Sequence, residues 1–154
     1  MDWIFDDGYF VSTSPEHLQI GVIHGYLSRS YWARGITLER VQRSLDHSLC
    51  FGMYEGKVQM AFGRVISDYA TFGYLSDFFV LETHRGRGLS KRLVACVLQH
   101  PDLQDLRRMH LVTRDAHGLY AQFGFKSVER PENHMEITIS DAYLRAQAKQ
   151  VDTT

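Results

Sequence analysis

The chain has 154 residues, a length typical of one globular domain with a well-buried core. Its 17 lysines and arginines nearly balance its 18 aspartates and glutamates, so no overall positive field recruits nucleic acid or an anionic membrane. No apolar run approaches the roughly 18 residues of a membrane-spanning helix, and no basic-then-apolar leader begins at Met1. We therefore expect a single domain over residues 1–154 of a soluble, cytoplasmic protein without nucleic-acid or membrane partners.

The first half of the chain predicts a short strand, two helices and then three antiparallel strands. Ser14 and Pro15 are typical of a helix start, and Thr37 is a capping residue for the second helix. Residues 29–35, the acceptor loop, are rich in aromatic and basic side chains and are expected to line a pocket. The expected strands cover 8–13, 49–54, 57–66 and 72–81, and the helices cover 14–28 and 37–45.

The second half of the chain predicts a helical crossover between two parallel strands. A helix begins at Gly88 and ends before Pro101, because apolar residues recur between them at helical spacing and proline cannot continue a helix. Residues 109–113 are predicted to be a strand, which lies parallel to 72–81 if this helix joins the two. Asp115 is expected to cap a short helix and Gly124 to end it.

The last part of the chain has a strand pattern followed by a polar segment. Met135, Ile137 and Ile139 alternate with polar residues, which predicts a closing strand. Residues from about 141 to 154 are expected to form a polar tail or a marginal helix, so the folded core covers about 8–139.

Cysteine and histidine usage argues against thiol or metal chemistry. Cys50 and Cys96 lie in apolar surroundings and are expected to be buried free thiols. The eight histidines include no pair with the spacing of a His-x₃-His ligand set, and the cysteines form no Cys-x₂-Cys. No metal site is expected.

The most informative segment is the basic turn HRGRGLS at residues 84–90, the glycine turn. The first amides of a helix lack intrahelical acceptors, and the helix dipole adds partial positive charge there. Two glycines allow close approach of the backbone, and two arginines add charge-assisted hydrogen bonds, so the turn fits a pyrophosphate. The chain has neither a Walker loop nor the third small residue of a dinucleotide fingerprint. A plain tight turn between strand and helix is the alternative.

Two motifs, in order, resemble those of the GNAT-type N-acetyltransferases. Arg85-x-x-Gly88-x-Ser90 resembles that family's Arg/Gln-x-x-Gly-x-Gly/Ala signature, with serine at the last position. The stretch DAHGLYAQFGF at residues 115–125 resembles its Asn-x-x-Ala-x-x-Leu-Tyr-x-x-x-Gly-Phe segment, with Asp115 where asparagine is common. The resemblance implies an α+β (α/β) fold: a mixed, mostly antiparallel twisted sheet of about six to seven strands flanked by helices. Its fourth and fifth strands splay apart to hold CoA.

The resemblance also implies acetyl-CoA as co-substrate and direct transfer of its acetyl group to an amine. The cofactor-binding residues implied are Phe79, Val80, Arg85, Gly86, Arg87, Gly88, Leu89, Ser90 and Asp115. Pantetheine would pair with the backbone of Phe79 and Val80 like an added strand. Tyr120 matches the motif tyrosine and would give a proton to the leaving thiolate. The alternative for Tyr120 is a core tyrosine packed against Phe123 and Phe125.

Asp77 interrupts an otherwise apolar strand, where a carboxylate without a partner is costly to bury. It is the candidate general base or the anchor for the substrate amine. The alternative is a carboxylate satisfied by a nearby arginine or by backbone amides. Glu82 lies just before the glycine turn and His84 begins it. Both are expected to support the structure of the turn rather than the chemistry.

The acceptor is expected to be a small metabolite amine bearing a carboxylate or an aromatic group. The residues expected to frame its cleft are Tyr31, Trp32, Arg34 and Tyr74, with Arg29 or Arg34 binding the anion. Alternatively, Tyr31 and Trp32 only pin the acceptor loop to the core. A non-catalytic acyl-CoA-binding sensor or interaction module is the alternative function, and a structural subunit is a third. An exposed strand edge would permit a homodimer, as in many members of the family that the chain resembles.

Overall fold

Six strands form one sheet in the computed structural model, which describes residues 1–151. In spatial order they are β1 (Asp2–Ile4), β2 (Tyr9–Ser12), β3 (Leu49–Glu55), β4 (Val58–Ser67), β5 (Phe72–Val80) and β6 (Arg108–Leu111). Neighbours are antiparallel except β5 and β6, which are parallel. The α-helices are α1 (Ile20–Leu27), α2 (Leu38–Asp46), α3 (Leu89–Gln99), α4 (His117–Ala121) and α5 (Ala142–Val151).

Helices cover both faces of the sheet, because successive side chains of a strand point to opposite sides. In β3, Phe51 and Met53 pack with Leu93 of α3, whereas Cys50, the residue before Phe51, packs with Val41 of α2. Each face therefore has its own apolar cluster. Cys50 and Cys96 are buried and free, as the sequence predicts. No helix in the described range is long and apolar enough to span a membrane.

Several local predictions are confirmed. Thr37 caps α2 by accepting a hydrogen bond from the Arg40 amide at 3.3 Å. Gly88 precedes α3 with a φ of 73°, in the left-handed region that favours glycine. The hairpin between β3 and β4 and the parallel crossover from β5 to β6 also form as expected. The fold is the α+β sheet that the sequence analysis anticipated.

The predicted helix start at Ser14 is wrong. Pro15–His17 form a single 3-10 turn, Leu18 and Gln19 are extended, and α1 begins only at Ile20. The extended residues 18 and 19 let the backbone amide of Gln19 donate to Oε1 of the buried Gln59 at 2.7 Å. A buried amide side chain needs such partners, so a contact forty residues away overrides the local helix signal.

Asp115 does not cap the short helix α4. The side-chain oxygen that accepts a hydrogen bond from the Ala116 amide, at 3.0 Å, belongs to Thr113. Thr113 therefore satisfies the backbone amide of Ala116, just before α4. Asp115 lines the cavity described below. Gly124 follows α4 with a φ of 90°, as expected for a residue that ends a helix.

The predicted closing strand does not form. Residues 135–139, the terminal segment, have no regular secondary structure and pair with no strand of the described chain, and Met135 and Ile137 are each 98% exposed. The His134 ring stacks on His110 of β6, and the chain then leaves the sheet for α5. The sixth strand is instead β1, which pairs with β2 and was not predicted. Alternation indicates a strand but does not supply its partner.

Candidate active site

A cavity of about 1010 Å³ opens where β5 and β6 separate. Their pairing ends at Leu75 and Leu111, so, within the described part of the chain, residues 76–80 of β5 have no strand neighbour on that side. The acceptor loop, the glycine turn and the segment from β6 to α4 form the other walls. β5 and β6 are the fourth and fifth strands of the expected sheet, and they splay as expected.

The glycine turn lies at one end of this cavity. Gly86 and Gly88 have φ values of 77° and 73°, and a Cβ added at either would meet no atom within 4 Å. Glycine is therefore needed here for backbone conformation, and open space remains beside the turn. Leu89 and Ser90, at the first turn of α3, line the cavity together with Lys91. Amides without intrahelical acceptors and a lysine fit the pyrophosphate of a CoA ester.

The two arginines of the glycine turn have different partners. Arg87 donates to the hydroxyl of Tyr9 at 2.8 Å and does not line the cavity. Arg85 lines it, donating from Nε to the carbonyl of Val80 at 3.2 Å and from Nη2 to the hydroxyl of Tyr26 at 2.8 Å. The Val80 carbonyl is therefore already hydrogen-bonded to the Arg85 side chain.

Tyr120 lies on the cavity wall near the centre of the sequence motif that contains it. Its ring packs edge-on against Phe78 and Phe125, with centroids 6.5 and 5.8 Å away. Burial, with a smaller contribution from the nearby Tyr31, raises the pKa of Tyr120 to about 12. Its hydroxyl has no hydrogen-bond partner among residues 1–151. The side chain is thus a neutral phenol on the cavity wall.

Asp77 lies at a bulge in β5 and is held by two side chains. Its φ of 59° is rare for a residue other than glycine, and the β4–β5 register shifts beside it. Oδ2 accepts from Nε of Arg64 at 2.6 Å, and Oδ1 accepts from the indole of Trp32 at 2.9 Å. The side chain is 8% exposed. This arrangement matches the alternative of a carboxylate satisfied by a nearby arginine.

The bulge depends on Gly63 in β4. A Cβ at Gly63 would lie 2.6 Å from the ring of Phe78, so only glycine leaves room for that ring. With the bulge, Ser76 and Asp77 both reach Arg64 on one face, whereas Phe78 reaches Tyr120 on the other. One distortion therefore positions side chains on both sides of β5.

The acceptor loop closes over the cavity from the α1 side. Tyr31 and Trp32 line the cavity with Tyr74, and they are 50% and 39% exposed. Two predicted anion-binding residues are placed differently. Arg29 makes two hydrogen bonds to Glu82, at 2.5 and 3.1 Å, and Arg34 is exposed outside the cavity lining.

Sequence reasoning missed two arginines at this site. Arg64 is a lone charge in an apolar strand that neighbours the strand of Asp77, and this complementarity was a usable signal. Arg114 follows β6, and its guanidinium carbon lies 3.8 Å from the centroid of the Tyr31 ring. No local pattern indicates that second contact. Within the described residues, no group of three or more histidine, cysteine or acidic side chains is arranged to hold a metal ion.

Comparison with known proteins places this geometry in a family. The family model described as Acetyltransferase (GNAT) family matches residues 16–125, which is more than half of the chain. The chain belongs to the GNAT family of acetyltransferases. It is accordingly an acyltransferase, and the matched range contains both motifs and the cavity walls from α1 to α4.

Two similar proteins agree with this assignment. A GNAT-family protein of Xanthomonas campestris pv. campestris, described as an acetyltransferase, is 54% identical, and its crystal structure aligns with a TM-score of 0.86 over 88% of this chain and 96% of that chain. A protein of Gibberella zeae, also named as an acetyltransferase, is 31% identical over 79% of this chain and 80% of its own.

Fold similarity extends to a more distant structure. A crystal structure from Clostridium acetobutylicum, described as an acetyltransferase with acetyl-CoA, is 14% identical and covers 90% of this chain and 96% of that chain. Its TM-score of 0.61 shows that the two share a fold.

Proposed function

We propose that this GNAT-family chain transfers the acetyl group of acetyl-CoA directly to the primary amine of a small metabolite. The observation that carries the proposal is the position of Tyr120, a neutral phenol without a protein partner, on the wall of the cavity that the glycine turn borders. The same cavity thus offers an anion site and a proton donor. A binding module would need only the first.

The chain's residues divide the task of holding acetyl-CoA, which supplies the thioester. The first amides of α3 and the Lys91 ammonium would bind the pyrophosphate. The free edge of β5 at residues 76–80 would pair with the pantetheine arm. Arg85 would leave the Val80 carbonyl and turn towards the phosphates, since a charge-assisted bond is stronger than one to a neutral carbonyl. The Clostridium acetobutylicum protein crystallised with acetyl-CoA supports this choice of co-substrate.

Tyr120 would protonate the leaving sulfur. A thiol in water has a pKa near roughly 8.5, too low to take a proton readily from a phenol of pKa about 12. Burial raises thiol pKa values as well, and in this chain it raises that of Cys96 to about 11. Contact with the cavity wall would desolvate the leaving sulfur as well, which would raise its pKa towards that of Tyr120 and make the proton transfer less unfavourable.

Asp77 would act mainly by positioning. Both of its oxygens already accept hydrogen bonds, one from Arg64 and one from Trp32. We propose that Asp77 holds the Trp32 indole at the acceptor end of the cavity. A direct role as base or amine anchor is the competing prediction, and a pH–rate profile separates the two.

Release of free thiol from acetyl-CoA across a broad panel of primary amines tests the proposed function. We expect turnover with a subset of small amines, together with acetyl-CoA binding measured by calorimetry. Binding of CoA without turnover on any amine would support the acyl-CoA sensor instead. Failure to bind CoA at all would overturn both proposals and leave the structural-subunit alternative.

We also propose that two copies of the chain associate through the terminal segment. β6 is an edge strand, and Met135 and Ile137 of the nearby terminal segment are almost fully exposed. The terminal segment of each copy can pair with the β6 edge of the other copy. A two-fold axis makes these two contacts equivalent. We further propose that the protein is cytoplasmic, as expected from its sequence.

A further inference from the structure

We propose that Arg114 binds a carboxylate of the acceptor, so that the preferred acceptors are amines that also carry one carboxylate group. This inference rests on the proposed function. It transfers the anion-binding role from Arg29, which is paired with Glu82, and from Arg34, which lies outside the cavity lining, to a residue that no sequence motif singled out.

Arg114 is fixed in place by Tyr31 of the acceptor loop. Its guanidinium lies over the Tyr31 ring at 3.8 Å, and its own amide donates to the Tyr31 hydroxyl at 3.4 Å. Two contacts to one side chain, 83 residues away in the chain, hold the arginine against the cavity wall. A cation over an aromatic face is stabilised by the ring quadrupole, so this position is defined before any ligand arrives.

The charge of Arg114 is not balanced by a protein carboxylate. Among residues 1–151, no acidic group lies within 4 Å of its guanidinium, including the adjacent Asp115. The neighbouring cations are engaged: Arg29 pairs with Glu82, and Arg64 pairs with Asp77. Lys91 and Arg85 flank the glycine turn, where a pyrophosphate would use them. Arg114 is left as the cation for the acceptor.

The geometry favours a carboxylate over other anions. Stacking engages the flat face of the guanidinium and leaves its N–H edge available, and that edge matches a carboxylate with two parallel hydrogen bonds. One arginine balances the single charge of a carboxylate, whereas a phosphate monoester carries nearly two charges. The rings of Tyr31, Trp32 and Tyr74 line the same end of the cavity and can contact the apolar part of a small amine.

Matched acceptors test the proposal: α-amino acids, their carboxamides and the corresponding decarboxylated amines, with aminoalkyl phosphates as a further arm. We expect the wild-type chain to favour the carboxylate form by about tenfold or more in kcat/KM. Arg114→Gln should lower kcat/KM about 10- to 100-fold on carboxylate acceptors and less than about twofold on carboxamides, with the KM for acetyl-CoA unchanged. Arg114→Lys should keep part of the preference for carboxylate acceptors, because lysine retains the charge but lacks the paired N–H donors of the guanidinium.

Arg34→Gln is the control, since it removes an arginine of the acceptor loop that lies outside the cavity. It should leave selectivity unchanged. Equal loss on both acceptor types in Arg114→Gln, or a wild-type preference for carboxamides or phosphates, would overturn the proposal. If no amine is acetylated, the proposed function fails, and calorimetric titration of the amino acids into the CoA-saturated protein then decides about Arg114. Binding that Arg114→Gln abolishes supports it, and binding that it leaves intact, or no binding, overturns it.

Discussion

Tyr120 combines two properties that usually conflict, a packed ring and an available hydroxyl. The ring sits against Phe78 and Phe125, which makes the side chain part of the core, while Tyr120 also lines the cavity and its hydroxyl has no hydrogen-bond partner among the described residues. Burial raises its pKa to about 12, so the phenol stays protonated throughout the neutral and mildly alkaline range. The packing against Phe125 matches the core-tyrosine alternative, whereas the role of Tyr120 as proton donor stays a prediction.

Tyr120→Phe should lower kcat about tenfold or more, because removal of a general acid typically costs at least this much. The acetyl-CoA dissociation constant, measured by calorimetry, should change little, since the ring is retained. Tyr69→Phe is the control, because Tyr69 is exposed outside the cavity. Unchanged turnover in Tyr120→Phe would remove the phenol from the mechanism.

Asp77→Asn should reduce the rate and leave the acid limb of the pH–rate profile in place if Asp77 is a positioning residue. The asparagine can still accept from Trp32, but Arg64 becomes an uncompensated and largely buried charge, which costs about 3 kcal/mol of stability. Urea unfolding measures the loss of stability. The pH dependence of kcat/KM, measured from roughly pH 5 to 9, shows whether the acid limb remains. Loss of the acid limb would show that Asp77 is the base.

The structural elements around the cavity depend on backbone conformations that few residues adopt. The β5 bulge places Asp77 at a positive φ opposite Gly63, and the glycine turn has positive φ at Gly86 and Gly88. The two features lie at the two ends of the open edge of β5. The edge is thus bounded by the β5 bulge at one end and by the glycine turn at the other.

Gly88→Ala should raise the KM for acetyl-CoA several-fold and lower the free energy of unfolding by about 1 kcal/mol. An alanine at a φ of 73° strains the backbone that presents the first amides of α3. Gly118→Ala in α4 is the matched control, because Gly118 has a negative φ and no atom within 4 Å of an added Cβ. Alanine there should be neutral or stabilising. Equal KM values for the two variants would argue against the glycine turn as the cofactor site.

Across the whole molecule, buried thiols and phenols link stability to pH. Burial raises the pKa of Cys96 to about 11 and that of Cys50 to about 12. The unfolded chain loses these protons near roughly pH 8.5, whereas the folded chain keeps them. The unfolded state then binds fewer protons, so the free energy of unfolding falls as pH rises above about 9.

Cys96→Ala should flatten that decline by up to about 1.4 kcal/mol per pH unit, because one titrating group is removed. At neutral pH the same variant should lose about 1 kcal/mol through lost packing. Urea unfolding of the wild type and the variant at successive pH values from neutral upwards gives both quantities. Parallel curves would show that the buried thiols do not set alkaline stability.

Ile137→Lys should convert a dimer into a monomer, as measured by size-exclusion chromatography with light scattering. A charge in the terminal segment would oppose its burial against the edge of β6 in a second copy. Ile4→Lys is the control on β1, at the opposite edge of the sheet, where Ile4 is also exposed. A wild-type monomer, or dissociation caused by Ile4→Lys alone, would contradict association through the terminal segment.

Local signals in the sequence were sufficient for much of the fold and for the part of the candidate site that the two motifs form. Thr37 and Gly88 act on the helix turn that follows each of them. The hairpin and the crossover follow from the alternation of each strand, the helical spacing of α3 and the short turn signals between them. The two motifs lie on continuous stretches of chain. Such features depend on residues a few positions apart, so the sequence by itself determined the GNAT-type sheet, the glycine turn and the placement of Tyr120.

The acceptor end was decided only by tertiary structure, because its groups meet across long stretches of chain. Asp77 is paired by residues 13 and 45 positions away, and Arg29 is taken by Glu82 at a separation of 53. Arg114 meets Tyr31 at a separation of 83, and the terminal segment has a strand pattern without a partner strand. Charge pairing and strand pairing depend on which surfaces the fold brings together, and no local pattern contains that information.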